Sequence, residues 1–372
     1  MKIKNQILKL VLSFVIALSI FSCQVEGNDD IITKLPSINE IVNADLANYS
    51  VLKKGLEVSG LANVIVNNGS YTVFAPNNAA FAAYTSVAFP AGITETVLNG
   101  TLTVAQLAEL KRTLMYHIIS GGQLAVDLPA KGYIKSIAPY GTSTSITLSM
   151  FINKTNGVEI NGGDLMVGTT SNGGAKVIEG DIKASNGIIH KINKVLLLPT
   201  LINQLQANPD LATFLGALNA DAPTKVFVTS PVSNTQLFVP NEAAFVTSAT
   251  YLSGKTSTQL ATIVAYHITT GSRYDRNAPV GIQTGQFQND GAATATSYLP
   301  TTAITDAVVT SKAFDMATPP VAQTFRIIKN SLTIIETTTV TPANGAAIKS
   351  ANIHTNNGII HTINRVLQPP VL

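Results

Sequence analysis

The 372-residue chain contains no tryptophan and a single cysteine, Cys23. With one thiol no disulfide can staple its domains, so their stability rests on core packing. The same scarcity excludes a zinc-type Cys/His cluster. Charge is scarce as well, with Asp, Glu, Lys and Arg making 12% of the residues. Three lysines, Lys2, Lys4 and Lys9, fall within the first 22 positions, and beyond them 21 basic residues face 21 acidic ones. No basic field therefore exists to attract nucleic acid or anionic lipid. The sequence has no glycine-rich phosphate loop, and no spacing brings two carboxylates together for acid–base work. These gaps leave little room for an enzyme, and no cofactor is expected.

What is present begins with a targeting segment. Lys2, Lys4 and Lys9 make a basic start, and Ile7 to Phe21 is almost wholly apolar. That run is short for a membrane span and has the layout of a secretory signal. Ile20-Phe21-Ser22-Cys23 is similar to a bacterial lipobox, with a small residue directly before the cysteine. Residues 1–22 are accordingly read as a lipoprotein signal peptide, Cys23 as the lipidation site and residues 23–35 as a tether. Phe21 is larger than the residue usual at its position, so an ordinary secretory signal with a coincidental cysteine is the alternative. Acyl chains on Cys23 would anchor an exported protein to the membrane of the bacterial cell envelope, with the outer membrane or cell surface as candidate sites.

The rest of the chain is written twice. Asn186-Gly187-Ile188-Ile189-His190-Lys191-Ile192-Asn193 returns 171 residues later as Asn357-Gly358-Ile359-Ile360-His361-Thr362-Ile363-Asn364. A period this long means tandem domains, here residues 36–199 and 200–372, and not a solenoid. Ser37-x-x-Glu40 is a capping box before a helical apolar pattern that runs from Ile38 to Leu56. Phe74-Ala75-Pro76-Asn77-Asn78-Ala79-Ala80-Phe81 is matched by Phe238-Val239-Pro240-Asn241-Glu242-Ala243-Ala244-Phe245. In each, a strand stops at proline and asparagine can cap a short helix. Thr103-x-x-Gln106 opens a helix expected to reach Ile119 and to close near Gly121; Thr256-x-x-Gln259 opens its partner, closing near Gly271. These helices carry Tyr116-His117 and Tyr266-His267. Thr144 to Met150 alternates as a strand, and Asn156-Gly157 and Asn161-Gly162-Gly163 mark turns. Domain 2 is longer between its motif histidines, 94 residues against 73, so 21 are inserted.

Asn-Gly favours a two-residue hairpin turn, because both central residues take positive φ. Centred on Asn357-Gly358, such a turn would set His354 opposite His361, with Cβ atoms about 5 Å apart. Two imidazoles there are a candidate, weak transition-metal site; the alternatives are that His354 faces solvent while His361 packs inward, or that the loop is wider than two residues. The same register in domain 1 sets Lys183 opposite His190, which forbids a site. His190 and His361 each share a face with two isoleucines, as a hydrogen-bonded core histidine would.

The opening helical pattern (repeated at Leu201, Leu205, Leu211, Phe214 and Leu218), Phe-x-Pro-Asn-x-Ala-Ala-Phe, Tyr-His and Asn-Gly-Ile-Ile-His-x-Ile-Asn stand in fixed order, each twice, and together resemble the fasciclin domain. The resemblance implies an α+β fold, two tandem units, each a wedge or sandwich of about seven strands with packed helices. It implies an extracellular or surface-attached adhesion protein without agreed catalytic activity, whose partner is a protein, matrix component or glycan. Phe74, Pro76, Asn77, Phe81, Asn186, Gly187 and His190, with Phe238, Pro240, Asn241, Phe245, Asn357, Gly358 and His361, carry the family motif as structural residues. Tyr116, His117, Tyr266 and His267 are candidate partner-binding residues by the same resemblance, with a packing role as the alternative. A glycan-binding or substrate-capturing lipoprotein is the competing reading; without tryptophan it needs tyrosine platforms, for which Tyr133, Tyr140, Tyr274 and Tyr298 are expected in loops.

Overall fold

The computed structural model describes residues 34–372 apart from 68, 144–145, 168–169, 230–234, 266, 271–323, 329–333, 338–344 and 368–372. The expected lipidation site Cys23, with Tyr266, Gly271, Tyr274, Tyr298 and most of the domain 2 insertion, lies outside the described residues.

The fold begins at Pro36. Helices α1 (Ile38–Ala44), α2 (Leu46–Val58) and α3 (Leu61–Asn67) open domain 1. The expected capping box is formed, with Glu40 N–H on Ser37 Oγ and Ser37 N–H on the Glu40 carboxylate at 2.7 Å. Strand β1 (Tyr71–Pro76) runs into α4 (Asn78–Ala82), whose Ala80 N–H is capped by Asn77 Oδ1 at 2.8 Å. Helix α5 (Glu95–Asn99) precedes α6 (Val104–Tyr116), which Thr103 and Gln106 cap reciprocally. Helix α6 ends at Tyr116, three residues short of the expected Ile119. Ile118 already belongs to β2 (Ile118–Ser120), which pairs antiparallel with β1. Gly121, with φ 87°, therefore ends that strand and not the helix.

The remaining strands are β3 (Lys131–Pro139), β4 (Thr147–Asn153), β5 (Glu159–Ile160), β6 (Met166–Val167), β7 (Thr170–Ser171), β8 (Ala175–Ala184) and β9 (Gly187–Ile192). Seven of the nine described strands of domain 1 form one sheet in the order β2-β1-β9-β8-β5-β4-β3, with β6 and β7 as a separate pair. The motif strand β9 lies beside β1 in parallel, Tyr71 opposite Gly187 and Phe74 opposite His190. Alternation sorts β1 between two cores. Val73 and Ala75 join the helical core with Leu52, Leu56, Phe81, Leu110 and Leu114, while Phe74 joins Tyr116, Leu148, Met150, Ile160 and Ile192. Phe74 is wholly buried, so truncating it would cost about 3–5 kcal/mol.

Domain 2 repeats the plan. It runs α7 (Leu201–Ala207), α8 (Ala212–Ala220), α9 (Ala222–Thr229), β10 (Thr235–Pro240), α10 (Glu242–Thr247), α11 (Ala249–Leu252), α12 (Ser257–Ala265) and β11 (Ile268–Thr270). It closes with β12 (Thr324–Ile328), β13 (Ile334–Thr337), β14 (Gly345–His354) and β15 (Gly358–Ile363). Among the described residues its sheet has the order β11-β10-β15-β14-β12-β13, again with the motif strand parallel to its partner.

The hairpin registers differ from expectation. In domain 1 Ala184 pairs with Gly187 and Lys183 with Ile188, so the turn is centred on Ser185-Asn186 and Lys183 is not opposite His190. In domain 2 His354 pairs with Ile359, not with His361, and the candidate two-histidine metal pair does not form. The glycine answers to the neighbouring strand instead of the turn. A Cβ on Gly187 would lie 1.9 Å from the Tyr71 carbonyl oxygen, and one on Gly358 2.3 Å from that of Thr235. Parallel pairing brings the backbone too close for any side chain.

Candidate functional site: the motif histidines and the domain joint

Each chemistry-bearing motif residue is placed by two elements at once. His117 caps the C-terminus of α6, where its ring turns back so that Nδ1–H donates to the Thr113 carbonyl at 2.8 Å. Its Nε2 accepts the Leu196 N–H at 2.9 Å, after β9. His117 also lends its own carbonyl to the Phe74 N–H at 2.9 Å. Domain 2 repeats all three bonds: His267 Nδ1–H to Ile263 O at 2.7 Å, Leu367 N–H to Nε2 at 2.9 Å, and Phe238 N–H to His267 O at 2.9 Å. Both rings are 1% exposed, and burial pulls both down to a pKa of about 4, against the backbone bonds that raise it. They are neutral Nδ1–H tautomers at physiological pH.

Tyr116 is also interior. Its hydroxyl donates to Ser149 O at 2.8 Å and accepts from Asn161 Nδ2 at 2.8 Å, and burial pushes its ionisation far above the usual range. The expected partner-binding pair of domain 1 is thus placed inside the fold, Tyr116 wholly buried and His117 nearly so.

The second motif histidine sits over a bulge. His190 stacks on Phe74 with centroids 5.6 Å apart, and its Nε2–H donates to Gln123 O at 3.0 Å. The Asp181 N–H donates to Nδ1 at 3.2 Å, from a residue at φ 61°. Burial lowers this histidine too, against the Gln123 bond and the Asp181 carboxylate. In domain 2 Phe238 stacks on His361 at 5.3 Å, and the Asn352 N–H, from φ 59°, meets Nδ1 at 3.3 Å. Asp and Asn are the residues that take left-handed backbone at least cost after glycine. The motif asparagines tie the first and third helices to the sheet. Asn186 accepts from Ile38 N–H at 2.8 Å and donates to Ile65 O at 2.8 Å; Asn357 does so with Leu201 at 2.8 Å and Val228 at 3.2 Å.

Sequence reasoning missed the joint between the domains. Ser149 is wholly buried on β4, although the alternating pattern there suggests one wet face. Domain 2 covers it. Gln204 of α7 donates to Ser149 O at 3.1 Å and to Asn161 Oδ1 at 3.2 Å, reaching the Tyr116 network. The His354 N–H donates to Ser149 Oγ at 2.9 Å, and Arg112 Nη1 donates to Asn356 Oδ1 at 2.6 Å. Tyr133 and Tyr140 are drawn into this joint and are not loop platforms. Tyr133 lies within β3, packs on Phe151 at 5.0 Å and bonds Asn208 at 3.1 Å, while Tyr140, 5% exposed, packs on His354 at 4.9 Å. A serine between Leu148 and Met150, with Thr147 sharing its face, gave no signal that this face would be covered.

A protein-family model, the fasciclin domain, matches residues 47–199 and again residues 209–369. The chain belongs to the fasciclin family. It is built of two tandem fasciclin domains. An uncharacterized Synechocystis protein, sll1735, is 31% identical over 164 residues, which are 44% of this chain and 99% of that protein. Mouse Stabilin-1 is 30% identical over 159 residues, 42% of this chain but only 5% of Stabilin-1. A solved FAS1 domain pair from the insect cell adhesion molecule Fasciclin I aligns over 86% of this chain and 97% of its own, at 16% identity and TM-score 0.46. Among the described residues of this fasciclin pair, no helix is long and apolar enough to cross a membrane.

Proposed function

We propose that this fasciclin protein is a non-catalytic adhesion or binding protein, held at the bacterial cell envelope by a lipid on Cys23. One observation carries the non-catalytic part. In domain 1 the side chains of Tyr116, His117, Asn186 and His190 each have their donors and acceptors engaged within the fold. A histidine with both nitrogens committed to backbone has no lone pair or proton to offer a substrate. Family membership supports the adhesive part, with a protein, matrix or glycan partner. The contact surface then comes from exposed residues beside the motifs, such as Val104 and Leu107, i and i+3 on α6 and 88% and 38% exposed. The glycan-capturing alternative is weakened because Tyr133 and Tyr140 are spent on the joint.

A binding screen of the mature protein against immobilised matrix proteins and glycan arrays tests this reading. Retention on a protein or glycan that Val104→Asp abolishes, with the melting temperature unchanged, supports it. Binding lost only in variants of Tyr116 or His117 that melt like the parent would return the site to the motif.

A further inference from the structure

Domain 2 meets domain 1 through the strand positions that domain 1 itself leaves in solvent. Asp181 and Lys183 are exposed on β8. The same positions 171 residues later hold Asn352 and His354, 3% and 2% exposed, because β14 lies against β4. Where the edge is covered, a carboxylate and an ammonium have given way to an amide and an imidazole. An amide can be buried with its hydrogen bonds satisfied, whereas a carboxylate there would lose its hydration.

Lys135 of β3, an exposed residue, reaches this edge with its ammonium. Its Nζ lies 2.6 Å from Asn352 O, 2.7 Å from His354 Nδ1 and 2.8 Å from Ser149 Oγ. An ammonium only donates, so His354 Nδ1 holds a lone pair and the ring is neutral in the closed joint. The ring of Tyr140 lies tilted against the imidazole, and Arg112 of α6 holds Asn356 two residues further on. The charged groups that the described residues bring to this hairpin from the facing domain are therefore Lys135 and Arg112, with the Tyr140 phenol as a further titratable group. A proton on Nδ1 would remove the acceptor and put a second cation at hydrogen-bond distance from Lys135.

We propose that His354 is a proton-sensitive latch on the joint between the two fasciclin domains. With the ring neutral, Lys135 and Ser149 clamp the β14–β15 hairpin and the pair moves as one body. A proton on the ring expels Lys135, releases the hairpin from β4 and leaves the domains joined by Leu198-Pro199-Thr200, Gln204, the Tyr133–Asn208 bond and the Lys131–Asp210 ion pair. This acid response is separate from that of His117 and His267, which lie within the cores of their own domains.

Hydrogen exchange on the full chain tests the latch at roughly pH 7.5 and roughly pH 5, either side of the ordinary histidine range. With rates corrected for intrinsic pH dependence, segments 147–153 and 346–358 should lose at least about tenfold more protection at the acid pH than the α6 and α12 segments do. Those two helices follow the acid loss of the cores through His117 and His267 and set the reference. His354→Asn and Lys135→Gln should each abolish this excess; the Gln amide can donate to a neutral ring or, turned over, accept from a charged one. A hairpin loss no larger than that of the two helices in the parent would overturn the proposal, as would an undiminished excess in the variants. Should His354→Asn fail to fold, Lys135→Gln, a change at an exposed residue, decides alone.

Discussion

The Leu196 N–H donates to His117 Nε2 at 2.9 Å, and 2.9 Å also separates the Leu367 N–H from His267 Nε2. Each bond ties the chain leaving the motif strand to the helix that precedes it by more than 70 residues. With the second ring nitrogen on the Thr113 or Ile263 carbonyl, the imidazole acts as a two-ended rivet.

Removing the rivet should destabilise the domain that contains it. His117→Ala leaves the Leu196 N–H without its partner and opens a void, so a loss of about 1–3 kcal/mol is expected. Urea titration measures it. A variant with the parent's midpoint would show that the bond contributes nothing.

Acid should act through the same two residues. Their folded pKa is about 4, below the ordinary value of 6.5. The unfolded chain therefore takes up protons first, and stability is full above about pH 6.5 and declines as pH falls toward about 4. The slope should approach about 1.4 kcal/mol per pH unit for each histidine. Denaturant midpoints from neutral to acid pH follow it, and His117→Gln should flatten the slope by about one histidine.

Gly187→Ala should be among the most damaging small changes available. Its Cβ would lie 1.9 Å from the Tyr71 carbonyl oxygen, and its backbone has φ 151°. Separating β1 from β9 to make room should cost at least about 3 kcal/mol, whereas Gly157→Ala, with open space around it, pays only for backbone strain. Thermal melts of the two variants should differ accordingly; similar melting temperatures would refute the close-approach account.

Anchoring is tested by fractionation. Cys23→Ser should release the protein to a soluble fraction or leave an unprocessed precursor. Unchanged membrane retention with normal processing would show that no lipid on Cys23 holds it.

The sequence by itself determined the repeat, the capped helices and the strand that ends in proline, because these depend on neighbours within one turn or one strand. Ser37 with Glu40, Thr103 with Gln106 and Asn77 with Ala80 form as their spacing requires. It also determined that His190 is a core residue, since an imidazole between isoleucines on one face of a strand has few other places to be. Tertiary structure decided the rest. Asn-Gly in isolation favours a two-residue turn, but parallel pairing with β1 claims Gly187 as a strand residue and moves the turn back to Ser185-Asn186. That one-step shift sets His354 against Ile359 instead of His361 and dissolves the metal pair. Ser149 reads locally as half-wet, and nothing nearby in sequence records that Gln204 and His354, 55 and 205 residues away, will cover it. Burial on the second face of a strand is a property of what packs there, and a strand carries no periodic signal for a partner contributed by another domain.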